Sequence, residues 1–381
     1  MAAAVGSSNG ILRETVRRCM RGTLVAAGCL SCPQGAKRYL LTEDVLQLHA
    51  FQQHKLEVGY KLYGEKDTYF KTIEDKLAKN MLILRDELKL LLHLCQTKDE
   101  VEIVKRVIYR YHAENKNVAF GGFKFGPLFM RLCYEMNLEA TALELIKDQA
   151  LHGFFSESSS FNILMDLLFT KGHYESALEV LLEMKRQGVK FSSDTYLLAV
   201  AICYKLNNSE SRRIFTTLLE DGQLKGVNIS RRVYYFAVVF ALKQNDISRA
   251  RSFYSHIINT ESRVCTNLTI LLQVATGDLE DLVQRLKKAS ESSVSSFVKK
   301  PEFCMEVLAT AREKLEDIPT LHVQFEEIVA KLQASGQIIS QTLDDLLCQP
   351  PRTKRRPMQL LKLNQISRRT LKPIHSALLA E

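Results

Sequence analysis

Arginines alternate with tyrosines at several places in this chain, a combination suited to nucleic-acid binding. Arg106 and Arg110 lie on either side of Tyr109, and Arg231 and Arg232 come just before a pair of tyrosines. A guanidinium can neutralise a phosphate, and a tyrosine ring can stack on a base. The same residue types also form ordinary solvated surfaces with packed aromatic rings, so both interpretations stay open at this point.

A further basic cluster lies near the C-terminus, where Arg355 and Arg356 have no acidic residue close by. Residues 351–381 carry a net charge of +7 and residues 1–42 carry +5, out of a total of +9, so the body of the chain has a net charge of −3. A polyanion would therefore have to meet a local patch or the tail. The tail can equally be a plain disordered extension or contact an anionic membrane surface.

Sequence signatures of catalysis are missing from the chain. It has no phosphate-binding loop, no GxSxG, no HExxH and no zinc-deaminase pattern. The acids at 313–317 and 326–327 fall along helical segments, where carboxylates usually face solvent. Cys29 and Cys32 lack a second pair at zinc-ligand spacing. We therefore predict no enzymatic activity, no catalytic residue, no metal site and no cofactor.

The first 42 residues have the composition of an organelle transit peptide. They are rich in Arg, Ala and Ser, and Glu14 is their one acid. We predict removal near Arg38–Leu41, after which Thr42 is a candidate N-cap for a first helix. No apolar stretch reaches the ~20 residues needed to cross a bilayer, so stable membrane insertion is not expected. The nine scattered cysteines are typical of a reducing compartment.

The body of the chain has the periodicity of successive helices. Apolar residues recur three and four apart, as in Phe161, Leu164 and Leu168. This predicts an antiparallel helix pair at 160–171 and 174–187, with a turn at Gly172 and an end at Gly188. Similar layouts recur every 35 residues, and we count four pairs in a repeat array at 84–261. A helical segment at 43–83 precedes the array, diverged repeats or a cap at 262–348 follow it, and the basic tail covers 349–381.

The best unit, at 158–192, resembles a pentatricopeptide repeat. Its Ser-Phe-Asn start at 160–162, the Gly172 and Ala177-Leu178 of its middle, and its Met184-Lys185 ending match that 35-residue family. The resemblance implies an all-α fold, a right-handed α-solenoid of stacked antiparallel helical hairpins. It also implies a scaffold that binds RNA in organelle RNA processing, stability or translation.

In the family, two residues of each repeat face one base, and Asn162 and Ser192 occupy those positions here. An amide offers both a donor and an acceptor to a base edge, and a hydroxyl can do either. By the family's pattern this pair favours a pyrimidine. The neighbouring repeats depart from the pattern, with Pro127 and Glu157 before and Leu197 and Val227 after. A multi-base code is therefore not expected.

Together these features predict a protein of the mitochondrial matrix that binds single-stranded mitochondrial RNA, beside RNA-processing enzymes as possible partners. It would support transcript maturation or stability, and thereby the respiratory chain. The candidate RNA-binding residues are Asn162, Ser192, Arg106, Arg110, Arg231, Arg232, Arg355 and Arg356. The alternative is a mitochondrial helical-repeat scaffold that binds protein in the same groove, which the net negative body favours.

Overall fold

The computed structural model describes residues 40–62, 64–115, 123–258, 260–291 and 300–350. The described residues from Leu40 to Gln349 form one compact unit. Within the described residues, 18 α-helices, one 3-10 helix (Gln149–Leu151) and two strands of two residues each account for the regular structure. The prediction of an all-α helical-repeat solenoid is confirmed.

Three helices precede the repeats, in the segment where we expected helices between residues 43 and 83. They are α1 (Glu43–Leu46), α2 (Leu48–Lys61) and α3 (Lys66–Ala78). Thr42 stands at the N-cap of α1 but makes no side-chain capping bond.

Six helical hairpins follow. Their bounds are α4 (Arg85–Leu94) with α5 (Lys98–Asn115), α6 (Gly126–Met136) with α7 (Glu139–Lys147), α8 (Ser158–Lys171) with α9 (Tyr174–Arg186), α10 (Ser193–Leu206) with α11 (Ser209–Leu224), α12 (Arg231–Lys243) with α13 (Ile247–Ser255), and α14 (Arg263–Thr276) with α15 (Leu279–Glu291). Five of these pairs lie between residues 84 and 261, where the repeat pattern had indicated four. The hairpin at 158–186 has the predicted bounds to within two residues.

Local sequence explains how the best hairpin is built. Gly172 and Gly188 take left-handed conformations, with φ of 83° and 72°, at the ends of α8 and α9. Ala177 is fully buried, and its small side chain lets the two helices approach closely. In the next hairpin Arg212 stands at the matching position and is exposed. Ser211 is buried there instead, because the helix is shifted by one residue.

The first helices of successive hairpins pack side by side in one row, from α4 through α14. We call the surface of this row away from the second helices the first-helix face. Two members of the row are buried around their whole circumference: residues 160–169 of α8 and 195–204 of α10 are all buried. A helix of this kind needs cover on every side. The second helices cover one side, so the first-helix face must be covered as well.

After the hairpins, the described residues form a helical cap that differs slightly from the expected all-helical one. It contains α16 (Met305–Leu315), α17 (Pro319–Ala334) and α18 (Leu343–Cys348). A short parallel pair of strands, β1 (Phe303–Cys304) and β2 (Ile338–Ile339), joins its parts. The side chain of Asn267 on α14 accepts a bond from the amide N–H of Cys304 over 2.8 Å and fixes β1 against the array.

Cys133 and Cys203 are both fully buried, so they pack in the core. Among the helices of the described ranges, none is long and apolar enough to cross a membrane. The same ranges contain no group of three His, Cys, Asp or Glu side chains placed to hold a metal ion.

Candidate nucleic-acid interface

The structure brings Asn162 and Ser192 together, but it turns them toward each other. Asn162 Nδ2 donates to Ser192 Oγ over 3.0 Å, and Asn162 Oδ1 accepts from the Thr195 hydroxyl over 2.8 Å. The Asn162 side chain is 2% exposed. Ser192 also caps α10 by accepting from the Thr195 amide. An RNA base would have to displace both hydrogen bonds of the Asn162 side-chain amide to be read here, so base contact by this pair stays a prediction.

The first-helix face is covered over α6 and α8 by the chain's own N-terminal segment, residues 40–47. Asp166 Oδ1 on α8 accepts from the amide nitrogens of Leu40 at 2.9 Å and Leu41 at 3.0 Å. Arg131 on α6 donates to the Leu46 carbonyl over 2.7 Å. Leu40 and Leu41 belong to the core at 0% and 2% exposure, and they lie within the stretch where removal of the transit peptide stays a prediction.

Asp166 is a buried carboxylate that accepts three hydrogen bonds. Besides the two amides on Oδ1, its Oδ2 accepts from the Tyr134 hydroxyl of α6 over 2.8 Å. Burial raises the pKa of Asp166 to about 6, although these bonds and the charge of Arg232 pull it downward. The carboxylate orders the N-terminal segment at the cost of being removed from water.

Arg232, which was predicted to bind RNA, ties both ends of the folded body together instead. Its guanidinium donates to the Leu40 carbonyl over 2.7 Å and to the Gln349 carbonyl over 3.1 Å. Burial lowers the pKa of Arg232, and the carboxylates of Asp166 and Asp194 partly oppose that shift. Because its donors face carbonyl groups of its own chain, Arg232 cannot contact a phosphate while this arrangement persists.

Helix α18 covers the other end of the first-helix face. It packs on α12 and α14, and Asp344 forms an ion pair with Lys205 of α10. Beside it lies a cleft of about 1090 Å³, lined by three lysines, Lys205, Lys243 and Lys314. Three carboxylates share the lining, those of Glu306, Asp317 and Asp344. Charges of both signs in one cleft do not favour a phosphate path.

The three other predicted RNA-binding arginines that the structure describes differ in what surrounds them. Arg106 pairs with Glu74 over 3.0 Å. Arg110 pairs with Glu114 and donates to the Asn80 carbonyl over 2.9 Å. Arg231 is exposed, and none of the residues described here forms an ion pair with it. Arg355 and Arg356 lie outside the described residues.

Comparison with known proteins assigns the array to a family. The human (Homo sapiens) protein named "Pentatricopeptide repeat-containing protein 2, mitochondrial" is 52% identical over 383 residues, covering 100% of this chain and 99% of its own length. Its namesake from Danio rerio is 48% identical and covers 97% of both chains. This chain belongs to that family. A family model described as "Mitochondrial 28S ribosomal protein S27" also matches residues 11–354, so the chain is a member of that wider family too.

Membership in this pentatricopeptide repeat family confirms the resemblance of the 158–192 unit. The relatives' names and the S27 family model also make this a mitochondrial protein. Residue-level reasoning missed Asp166, Tyr134 and Arg131, which hold the N-terminal segment. Asp166 did carry a signal, since it is the one charged residue in the apolar run from Ile163 to Phe169.

Replacing Asn162 with alanine should lower the free energy of unfolding by about 1–3 kcal/mol, because the buried Thr195 hydroxyl loses its acceptor. Urea unfolding of the full chain measures the loss. Thr195→Val is the matched variant, since it removes the same bond from the other side, and the double variant should lose less than the sum of the two. A loss within the ~0.5 kcal/mol typical of surface substitutions would contradict this assignment.

Proposed function

We propose that this protein is a non-catalytic RNA-binding adaptor of the mitochondrial matrix. It holds single-stranded segments of mitochondrial transcripts and supports their maturation or stability, together with RNA-processing enzymes. Respiratory-chain function then depends on it through the transcripts. The observation that carries the proposal is the row of first helices in a chain that belongs throughout its length to a pentatricopeptide repeat family.

The covered first-helix face limits where RNA can bind in this proposal. Asn162 is buried and Arg232 is engaged, so first contact falls to residues outside the cover. Arg231 is exposed at the start of α12, and Arg355 and Arg356 follow the last helix in the sequence. These side chains supply charge for phosphates, whereas base reading by Asn162 and Ser192 requires the hydrogen bonds from Asn162 to Ser192 and Thr195 to break.

A salt titration of RNA binding tests the adaptor. Fluorescence anisotropy of a labelled single-stranded RNA should show the logarithm of the binding constant falling linearly with log salt, with a slope of roughly −0.7 for each phosphate contact. The double substitution Arg355→Ala and Arg356→Ala should flatten that slope by roughly 1.4, and Arg231→Ala by roughly 0.7. Arg212→Ala is the control, because this exposed arginine lies on the second-helix layer. Absence of binding at ~50 mM salt, where phosphate contacts are strong, would exclude direct RNA binding.

A protein-binding scaffold is the second candidate, and one observation favours it. The first-helix face already holds a segment of polypeptide, residues 40–41, whose amides and carbonyl bond to Asp166 and Arg232. A surface that satisfies peptide amides and carbonyls can accept another polypeptide segment. Crosslinking in mitochondria separates the two functions: crosslinks from α8 and α12 to RNA support the adaptor, and crosslinks from the same helices to protein alone support the scaffold.

A further inference from the structure

The site around Asp166 contains a buried negative charge without a direct ionic partner among the described residues. Asp166 is 0% exposed and receives one hydroxyl and two amide hydrogens, all of them neutral donors. The guanidinium of Arg232 affects it through space, but the donors of Arg232 are bound to carbonyl oxygens. Buried carboxylates are normally paired with a cation, because an uncompensated charge in the interior is costly.

Of the two backbone amides that bond to Asp166, that of Leu40 makes the shorter contact. The amide nitrogen of Leu40 lies 2.9 Å from Oδ1, within the 2.7–2.9 Å typical of an ammonium bound to a carboxylate. It is also located where removal of the transit peptide was expected, directly after Lys37, Arg38 and Tyr39. As a peptide amide this nitrogen offers one hydrogen and no charge. As a free α-amine it would offer three hydrogens and a positive charge.

We propose that the mature protein begins at Leu40 and that the Leu40 α-ammonium forms a buried ion pair with Asp166. The side chains of Leu40 and Leu41, at 0% and 2% exposure, anchor the new terminus beside the carboxylate. Arg232 holds the Leu40 carbonyl from the other side. The site is thus a pocket for an N-terminal Leu-Leu, and it works whether or not the array binds RNA.

The chemical step is hydrolysis of the Tyr39–Leu40 peptide bond by water and a transit-peptide endopeptidase. The C–N bond breaks, a C–O bond forms at the Tyr39 carbonyl carbon, and Tyr39 leaves as a carboxylate. The Leu40 nitrogen becomes an amine and takes up a proton. Because Leu40 is fully buried in the fold, cleavage has to precede folding, as it does when a transit peptide is removed during import.

Radiosequencing of the imported protein tests the position of the new terminus. The full chain, labelled with tritiated leucine, is imported into isolated mitochondria, and the processed product is subjected to Edman degradation. A terminus at Leu40 releases label at cycles 1, 2, 7 and 9, set by Leu40, Leu41, Leu46 and Leu48. Release at cycles 2, 3, 8 and 10, or at 1, 6 and 8, places the terminus at Tyr39 or Leu41 and overturns the proposal.

Amine labelling of the processed protein tests the ion pair itself. Pairing that raises the pKa of the α-amine by one unit lowers the reactive neutral amine about tenfold, so reductive methylation of Leu40 should be at least about tenfold slower in the native protein than in urea. Asp166→Asn should abolish this protection. Tyr134→Phe is the matched control, because it removes one bond to Oδ2 and leaves the ion pair, so protection should persist. Equal rates in native and denatured wild type overturn the pairing, even if Asp166→Asn fails to fold.

Discussion

Replacing Arg232 with alanine should lower the free energy of unfolding of the full chain by about 2–4 kcal/mol, because the Leu40 carbonyl left without its donor costs roughly 1–3 kcal/mol and two carboxylates lose a nearby cation. The Arg232 guanidinium holds the carbonyls of Leu40 and Gln349, at 2.7 and 3.1 Å. Its charge also stabilises the carboxylates of Asp166 and Asp194. The alanine variant leaves two carbonyls without donors and two acids without a nearby cation. Urea unfolding followed by circular dichroism measures the loss.

The neighbouring arginine provides the control for this prediction. Arg231 precedes Arg232 on α12 and is exposed, so Arg231→Ala should change stability by no more than about 0.5 kcal/mol. Arg232→Lys keeps the charge but not the fork of donors, and its stability should fall between the other two. If the two alanine variants unfold at the same urea concentration, Arg232 does not tie the ends of the body together.

Replacing Asp166 with asparagine should remove a pH-dependent loss of stability from the full chain, in which the Leu40 nitrogen is a peptide amide. Burial raises the Asp166 pKa from 3.8 to about 6, so the folded state binds the proton more tightly than the unfolded state does. Stability from this group is therefore complete below pH ~4 and falls as the pH rises toward ~6, by about 3 kcal/mol at roughly 1.4 kcal/mol per unit. Asparagine can still accept from both amides and can donate to Tyr134.

The measurement compares wild type and Asp166→Asn by urea unfolding between pH 4 and pH 7. As the pH rises, the free energy of unfolding of wild type should fall relative to that of Asp166→Asn. The comparison isolates Asp166 from other acids, such as Glu326, whose pKa is lowered mainly by the bond from Arg312. Arg232, Tyr134 and Asp194 face the same site in both proteins. A difference that stays constant across the range would show that Asp166 is not held in an unfavourable charged state.

The two ends of the folded body together cover the first-helix face. The N-terminal segment binds α6, α8 and α12, and α18 binds α10, α12 and α14. In this chain, the first helices of the array are thus already covered by other segments of the same chain. Arg232→Ala should loosen this cover, and RNA affinity that rises as stability falls would support binding beneath it.

Several features of the fold were predictable because they depend on neighbours along the chain. The hairpin at 158–186 follows from apolar spacing and from the glycines at 172 and 188. The proximity of Asn162 and Ser192 follows from the repeat geometry. The number of hairpins was harder to read, because the pair α4 and α5 follows the repeat pattern only weakly in sequence and yet forms a full hairpin.

The partners of Arg106 and Arg232, two of the predicted RNA-binding arginines, could not be predicted from the sequence. Arg106 looks like a phosphate contact in sequence, yet its partner Glu74 lies about thirty residues away and cannot be inferred from spacing. Arg232 resembles Arg231 in sequence, but one is engaged on both ends of the body and the other is exposed.

The sequence by itself determined the helical hairpins, their 35-residue period and the family, because helix formation and hairpin packing act between residues close in the chain. Only the tertiary structure decided what covers the first-helix face. Leu40 meets Asp166 across 126 residues and Arg232 across 192. Contacts of that range depend on where the chain ends return after the array has stacked, and no local pattern encodes that return.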